Sequence, residues 1–458
     1  MNNPIRLAVL GLGTVGTGVV NLLKDNLTEL KRRSGKDIII THVGTRRQRD
    51  DIDSQIKQNA DLMSIVASDD VDIVIEVIGG TTVAKDVITH AIQHGKHVVT
   101  ANKALLAEHG NDIFALAEQH HVHVAFEASV AGGIPIIKVM RESLAANKVD
   151  WLAGIINGTG NFILSEMRDK ARPFADVLSE AQQLGYAEAD PTFDVEGTDA
   201  AHKLALLASI AFGMPLAFEH VYCEGITKIT NQDVMYAQEL GYRIKHLGFA
   251  KRRTLNDGNT GIELRVHPTL IPEDTLLANV NGVKNAVLID AHPLGQTLYY
   301  GDGAGAGATA SAVMADVMDL VRVLSVADGG HHVPHLSYHP DHLNTPTLLP
   351  AEQMLTGYYL RLTTLDHPGV LATITQILSD ADINIDAILQ QPDHDHSHDT
   401  LLPNQQREPS ANHTPNIVPV VILTQPITEK NMNDAITKME ALDIIKDKIV
   451  RIRLEELD

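Results

Sequence analysis

An apolar run of strand length, Ile5–Leu10, passes directly into Gly11-Leu12-Gly13-Thr14-Val15-Gly16 and then into a helical pattern carrying Val19, Val20, Leu22 and Leu23. Few local patterns limit a fold so strongly. Gly11 permits a tight turn, Gly13 lets a pyrophosphate approach the backbone, and Gly16 lets the helix pack closely on the strand. The helix start adds free N–H groups and the positive end of a dipole. Gly11, Leu12, Gly13, Thr14, Val15 and Gly16 therefore form a candidate dinucleotide loop. A glycine-rich turn in another α/β protein is the competing reading, and the strand before and the helix after favour the dinucleotide one.

The strand–helix alternation continues. Ile38–Val43, Asp72–Val77, His97–Thr100 and Val122–Phe126 read as strands, with helical patterns near 82–94 and 104–119. This alternation implies a Rossmann-type parallel sheet covered by helices on both faces. The second strand leaves into Gly44-Thr45-Arg46-Arg47-Gln48-Arg49, with no acid before Asp50. An acid there would favour the free ribose 2′-hydroxyl, whereas arginine accommodates a 2′-phosphate. Arg46 and Arg47 thus point to NADP, with NAD as the alternative. A solvated arginine loop is the competing reading.

Composition bounds the rest. At roughly 150 residues per domain, 458 residues suggest about three domains. Lys and Arg total 37 against 58 for Asp and Glu, a formal net charge of −21, which disfavours nucleic acid and anionic membranes as partners. Cys223 is the sole cysteine, so an intrachain disulfide or a cysteine-based metal site cannot form. No apolar run approaches the ~20 residues that span a bilayer, and the first residues show no cationic leader pattern. A cytoplasmic protein is expected.

Two segments carry candidate chemistry. Thr100-Ala101-Asn102-Lys103 falls at the C-terminal end of an expected parallel strand, where open α/β sheets bind ligands. Further on, Glu188, Asp190, Asp194, Glu196 and Asp199 crowd the approach to an apolar helix over Leu204–Phe212. Asp199 and Lys203 are four apart and share one helix face. A lysine heading such a helix is partly desolvated, and the neighbouring acid opposes the resulting pKa change, which suits proton transfer. Acids stabilising a helix N-terminus beside a snorkelling Lys203 would account for part of the cluster.

With these residues in place, the whole chain resembles homoserine dehydrogenase of the monofunctional type with a C-terminal ACT domain. The resemblance rests on Gly11–Gly16, Val77-Ile78-Gly79-Gly80, Ala101-Asn102-Lys103, Phe126–Pro135, Asn157-Gly158-Thr159, Gly185–Lys203 and Gly301–Gly305. It implies NAD(P)-dependent interconversion of aspartate 4-semialdehyde and homoserine. Lys203 then matches the proton donor and acceptor, and Lys103 a lysine beside nicotinamide and substrate. Glu188, Asp199, Tyr186, Asp194 and Thr159 match the substrate site, with Glu188 suited to the ammonium group. Thr100, Lys103 and Gly303 join the cofactor set. Glu127, Val130, Gly132 and Ile134 fall where the family holds a monovalent cation such as sodium, mostly by carbonyls. Asp302 stands where many relatives carry proline.

The implied organisation is a dinucleotide-binding domain over 1–130 completed by 301–330, and an α+β catalytic and dimerisation domain over 131–300. A linker over 331–357 and an ACT domain over 358–458 follow. His331, His332, His335, His339 and His342 of the linker read as solvated spacing. In the tail, a strand at Tyr358–Thr363, a helix opened by Asp366–Leu371, strands at Ile383–Ile385 and Ile417–Leu423, a helix over 429–441 and a strand at Ile449–Leu454 give a ferredoxin-like βαββαβ order. The insert 391–416, rich in proline and carrying His394, His396 and His398, is expected to be disordered. Asp366, Gly369, Val370 and Asn384 are the candidate effector residues. Threonine is the implied effector and a homodimer or homotetramer the implied assembly. Another ACT-linked NAD(P) oxidoreductase and an inactive amino-acid sensor are the alternatives. A 2-hydroxyacid dehydrogenase places its glycine loop mid-chain, and a dead sensor has no need of intact Lys103, Glu188, Asp199 and Lys203.

Overall fold

The computed structural model describes residues 3–255, 257–326, 333–390 and 417–457. By internal contacts the chain divides into two compact units, the first made of 1–228, 246–267 and 279–348 and the second of 229–245, 268–278 and 349–458.

The first unit opens with a wholly parallel sheet. Its strands are β1 (Ile5–Leu10), β2 (Ile38–Gly44), β3 (Lys57–Asn59), β4 (Ile73–Glu76), β5 (His97–Thr100) and β6 (Val124–Ala125), in the spatial order β3-β2-β1-β4-β5-β6. Helices α1 (Thr14–Ser34), α2 (Leu62–Val66), α3 (Thr82–Gln93) and α4 (Lys103–Gln119) connect them. Leu7, Ala8, Val9 and Leu10 are all fully buried. Burial on both sides of the strand explains why it reads as a continuous apolar run rather than an alternating one. The order reverses between β1 and β4, which opens a crevice at the C-terminal strand ends.

Beyond the short turn α5 (Ile136–Lys138), an antiparallel layer follows. It pairs β7 (Lys148–Ile155) with β11 (Lys284–His292), β11 with β12 (Gly295–Asp302), and β7 with the later residues of β9 (Tyr242–Thr254). Between β7 and β9 come α6 (Gly158–Lys170), α7 (Phe174–Gln183), α8 (Thr192–Val195), α9 (Thr198–Phe212), the short strand β8 (Tyr222–Cys223) and α10 (Asn231–Glu239). The early part of β10 (Thr260–Pro272) pairs with β8 and with β13 (Thr347–Leu348). Helix α11 (Ala306–Leu324) then returns to the parallel sheet, and a Cβ on Gly18 of α1 would lie 2.9 Å from the Ala306 carbonyl. Only a glycine there lets the two helices approach so closely.

In the second unit β14 (Leu355–Leu365), α12 (Val370–Asp380), β15 (Ile385–Gln390), β16 (Ile417–Thr428), α13 (Glu429–Glu440) and β17 (Val450–Leu454) follow in the expected βαββαβ order. The strands lie as β17-β14-β16-β15. Strand β15 starts at Ile385 rather than Ile383, because Asp382 takes a left-handed turn (φ 59°) after α12 and Ile383 drops into the core. Helix α10 belongs to this unit, where the buried Asp233 receives Arg361 Nε at 2.6 Å and the Tyr359 hydroxyl at 3.2 Å.

The histidines after residue 330 need one correction. His335 is buried, accepts the Val124 N–H at Nε2 (3.1 Å), faces Glu118 through Nδ1 at 3.2 Å and stacks on Phe114. It anchors the returning chain on β6 and α4 instead of spacing it in solvent. His339 and His342 are exposed. His331, His332 and the insert 391–416, with His394, His396 and His398, lie outside the described residues.

Candidate active site

Helix α9 begins at Gly197, whose left-handed φ of 89° turns the chain without a side-chain cap. One turn in, Asp199 and Lys203 occupy the same face, as their spacing requires. Lys203 Nζ lies 2.6 Å from Asp199 Oδ2 and donates to the Ile156 carbonyl at 2.7 Å, just past the end of β7. From the parallel sheet, Lys103 at the first position of α4 reaches Asp199 Oδ1 at 3.1 Å. A buried carboxylate is thus held between two ammonium groups from different layers.

Electrostatics follow from this arrangement. Burial raises the Asp199 carboxyl, but Lys203 and Lys103 outweigh it and hold the group well below the ordinary carboxylate range. Burial pulls Lys203 below the ordinary lysine value, while Asp199 resists that change and Lys103 adds to it. Asp194 is raised, chiefly by burial, against a hydrogen bond from Asn157. Asn157 itself had drawn no separate role from its Asn-Gly-Thr setting. Its Nδ2 bonds Asp194 and Asp199, each at 2.8 Å, while its Oδ1 accepts the Gly160 N–H and caps α6. The strand-to-helix N-cap position was the available signal.

Other candidates fall around this centre in different states. Thr159 is buried and its hydroxyl is spent on the Tyr186 carbonyl at 2.6 Å. The Tyr186 side chain is 43% exposed and meets Phe162 edge-on. Glu188 is exposed, with its carboxylate unpaired among the described residues.

The glycine loop fits a dinucleotide. A Cβ on Gly16 would stand 1.9 Å from the Gly11 carbonyl, and one on Gly11 2.6 Å from the Val77 carbonyl, whereas the space at Gly13 is empty. Helix α1 carries no side-chain cap, so its first N–H groups remain available to phosphate. Leu12 is half-buried, Thr14 exposed and Val15 half-buried along that turn. Arg46 and Arg47 are exposed and form no ion pair among the described residues. Arg49, not singled out from sequence, is already engaged, pairing with Asp51 and donating to the Leu12 carbonyl at 3.0 Å. Thr100 is buried, with its hydroxyl on Glu76 at 2.6 Å. Gly303 packs against the Asn285 amide, and its carbonyl would meet a Cβ on Gly132 at 2.5 Å.

The candidate cation residues form one buried turn. Glu127 caps the Ile137 and Lys138 N–H groups at 2.9 and 2.8 Å, and burial pushes its carboxyl up to about 7. The carbonyls of Val130 and Gly132 accept no hydrogen bond among the described residues, which leaves hard oxygen donors available. The Ile134 carbonyl is taken by the Ile136 N–H at 2.7 Å. In the second unit, Asp366, Gly369 and Val370 line a cavity of about 370 Å³ at the start of α12. Asn384 lies outside that cavity and bonds Gln425.

A desolvated lysine steadied by a carboxylate can pass a proton to an oxygen undergoing reduction. Beside a dinucleotide-type sheet, that chemistry defines an oxidoreductase of the nicotinamide class. Residues 135–318 match the homoserine dehydrogenase family, 11–127 the homoserine dehydrogenase NAD-binding domain and 358–411 the ACT domain. A homoserine dehydrogenase of Pseudomonas aeruginosa is 52% identical over 456 residues, covering 99% of this chain and 100% of the relative. One of Neisseria gonorrhoeae is 49% identical over 461 residues, covering 99% of each. The crystal structure of a homoserine dehydrogenase from Thiobacillus denitrificans is 51% identical with a TM-score of 0.90, covering 100% of this chain and 99% of that one. The chain belongs to the homoserine dehydrogenase family.

Proposed function

We propose that this homoserine dehydrogenase reduces L-aspartate 4-semialdehyde to L-homoserine reversibly, with Lys203 as the proton donor. The observation that carries the reading is Asp199 buried between Lys203 and Lys103. Nicotinamide supplies the hydride in reduction and accepts it in oxidation. As the carbonyl carbon gains the hydride, its oxygen gains the Lys203 proton, and the lysine recovers a proton from solvent. Lys103 sits where a positive charge stabilises the developing alkoxide. Asp199, oriented by Asn157, keeps Lys203 charged and fixes its direction, and Asp194 supports the same network. The free carboxylate of Glu188 suits the substrate ammonium, while Tyr186 and Thr159 shape the approach.

The unpaired Arg46 and Arg47 favour NADP over NAD, held by the loop Gly11–Gly16 with Thr100, Lys103 and Gly303. The free carbonyls of Val130 and Gly132, beside Glu127 and Ile134, suit a monovalent cation such as sodium in a structural role. Threonine is the effector we assign to the cavity at Asp366, Gly369 and Val370, with Asn384 outside its wall. Strand β12 ends its sheet and leaves Tyr300 56% exposed, which suits a homodimer or homotetramer. A cytoplasmic setting follows from a biosynthetic role that draws on a nicotinamide pool.

The test is reduced-cofactor consumption with aspartate 4-semialdehyde, run with NADPH and NADH and titrated with threonine. Turnover with NADPH preferred and threonine inhibitory supports each part. No turnover removes the dehydrogenase reading, and turnover indifferent to millimolar threonine removes only the effector.

A further inference from the structure

Glu76 is a buried carboxylate that the proton-transfer centre does not use. It ends β4 and is fully buried. Its Oε1 accepts the N–H groups of Ile78 at 2.8 Å and Gly79 at 3.4 Å, and its Oε2 accepts the Thr100 hydroxyl at 2.6 Å. The Thr100 oxygen also accepts the Asn102 N–H at 3.0 Å, and its own proton is available to Glu76. Every partner donates, the pattern of an ionised carboxylate. No lysine, arginine or histidine pairs with it among the described residues. Burial pushes the carboxyl up, and the hydrogen bonds only partly reverse this. A buried charge without a counter-ion is costly to keep.

Its position suggests what completes it. In the sheet Glu76 stands beside Leu10, the residue before the glycine loop, on one side and beside Thr100 on the other. This is the crevice where strand order reverses and where open α/β sheets seat a dinucleotide. The β1–β2 side takes the half beyond the glycine loop, so β4 and β5 underlie the half that carries nicotinamide. That ring is neutral when reduced and gains a positive charge when it gives up a hydride.

We propose that Glu76 is the resident counter-charge for oxidised nicotinamide, so that the protein binds the oxidised ring more tightly than an uncharged residue there would allow. The inference rests on the nicotinamide chemistry above but not on the identity of the substrate. By linkage, the same preference favours hydride donation on the enzyme.

The test is equilibrium binding without substrate. Oxidised cofactor, reduced cofactor and the matching ADP-ribose, which lacks the ring, are titrated into the parent and Glu76→Gln. Removing one charge acting through partly polar surroundings should weaken oxidised cofactor about tenfold relative to reduced. ADP-ribose affinity should hold within about twofold, which also shows that the variant is folded. A second variant, Glu76→Asp, keeps the charge and loses the reach. Its oxidised-to-reduced ratio should stay within about twofold of the parent, whatever happens to either affinity alone. Equal weakening of both ring forms in Glu76→Gln, or a ratio in Glu76→Asp shifted as far as in Glu76→Gln, would overturn the proposal and leave Glu76 as a loop brace. Failure of every cofactor form to bind the parent would instead remove the nicotinamide reading itself.

Discussion

Lys203 must hold a proton to reduce the aldehyde and lack one to oxidise the alcohol. Burial sets its pKa below the ordinary lysine value, so both limbs fall at lower pH than a solvated lysine would give. In the reduction direction kcat/KM should fall as pH rises through that pKa, and in the oxidation direction it should rise through the same point. Asp199 supports the charged form, so Asp199→Asn should move the surviving limb to lower pH. Lys203→Ala should abolish the limb and cost on the order of 10²–10⁴ in kcat, with cofactor affinity little changed. Near-normal kcat in that variant would demote Lys203 to structure. Arg46 and Arg47 allow a separate check at the same scale. Neutral residues at both should raise KM for NADPH far more than for NADH, and equal effects would make them surface decoration.

The glycine loop and α1 work as one element, and their glycines are not equivalent. Gly13 has an ordinary φ of −74° with empty space where a Cβ would sit. Gly13→Ala should therefore melt near the parent temperature yet bind cofactor weakly, because the methyl group occupies the phosphate approach. At Gly16 the Cβ would collide with the Gly11 carbonyl, and relief requires moving backbone. Gly16→Ala should lose at least about 1–3 kcal/mol of stability, the usual range for overpacking. Thermal melting beside a cofactor titration separates the two. Similar melting losses in both variants would mean that the loop adapts more freely than its close contacts indicate.

Across the whole molecule, the second unit, which carries the ACT domain, is assembled from distant stretches of chain. Residues 229–245 and 268–278 join 349–458, and β10 pairs with β17 through Thr269–Arg453 and Leu270–Leu454. Deleting 345–458 would strip the fully buried Asp233 of Arg361 and Tyr359. The same deletion removes most of the unit into which 229–245 and 268–278 pack, so the truncated protein should melt well below the parent or aggregate. A truncation that melts as the parent does would show that this ion pair contributes little. Threonine control is better tested by Asp366→Ala in the full chain, which should blunt inhibition while uninhibited turnover persists. Unaltered inhibition would move the effector away from the start of α12.

Local pattern alone determined the parallel sheet, the glycine loop, the βαββαβ tail and the Asp199–Lys203 pairing. Each depends on spacing within one element, and burial on both faces or on one helix side leaves its mark on neighbouring residues. The charged centre as a whole was beyond that reach. Lys103 meets Asp199 only because two layers pack together, and Asn157 bridges Asp194 and Asp199 only once α6, α8 and α9 converge. His335 looked like polar spacing because its burial against Phe114 and Val124 is a property of distant chain. Glu76 is merely one residue of the expected strand Asp72–Val77 until the sheet places it, without a counter-charge among the described residues, in the crevice beside the glycine loop. Sequence spacing records contacts within an element, whereas desolvation and charge pairing between elements exist only after the core has excluded water.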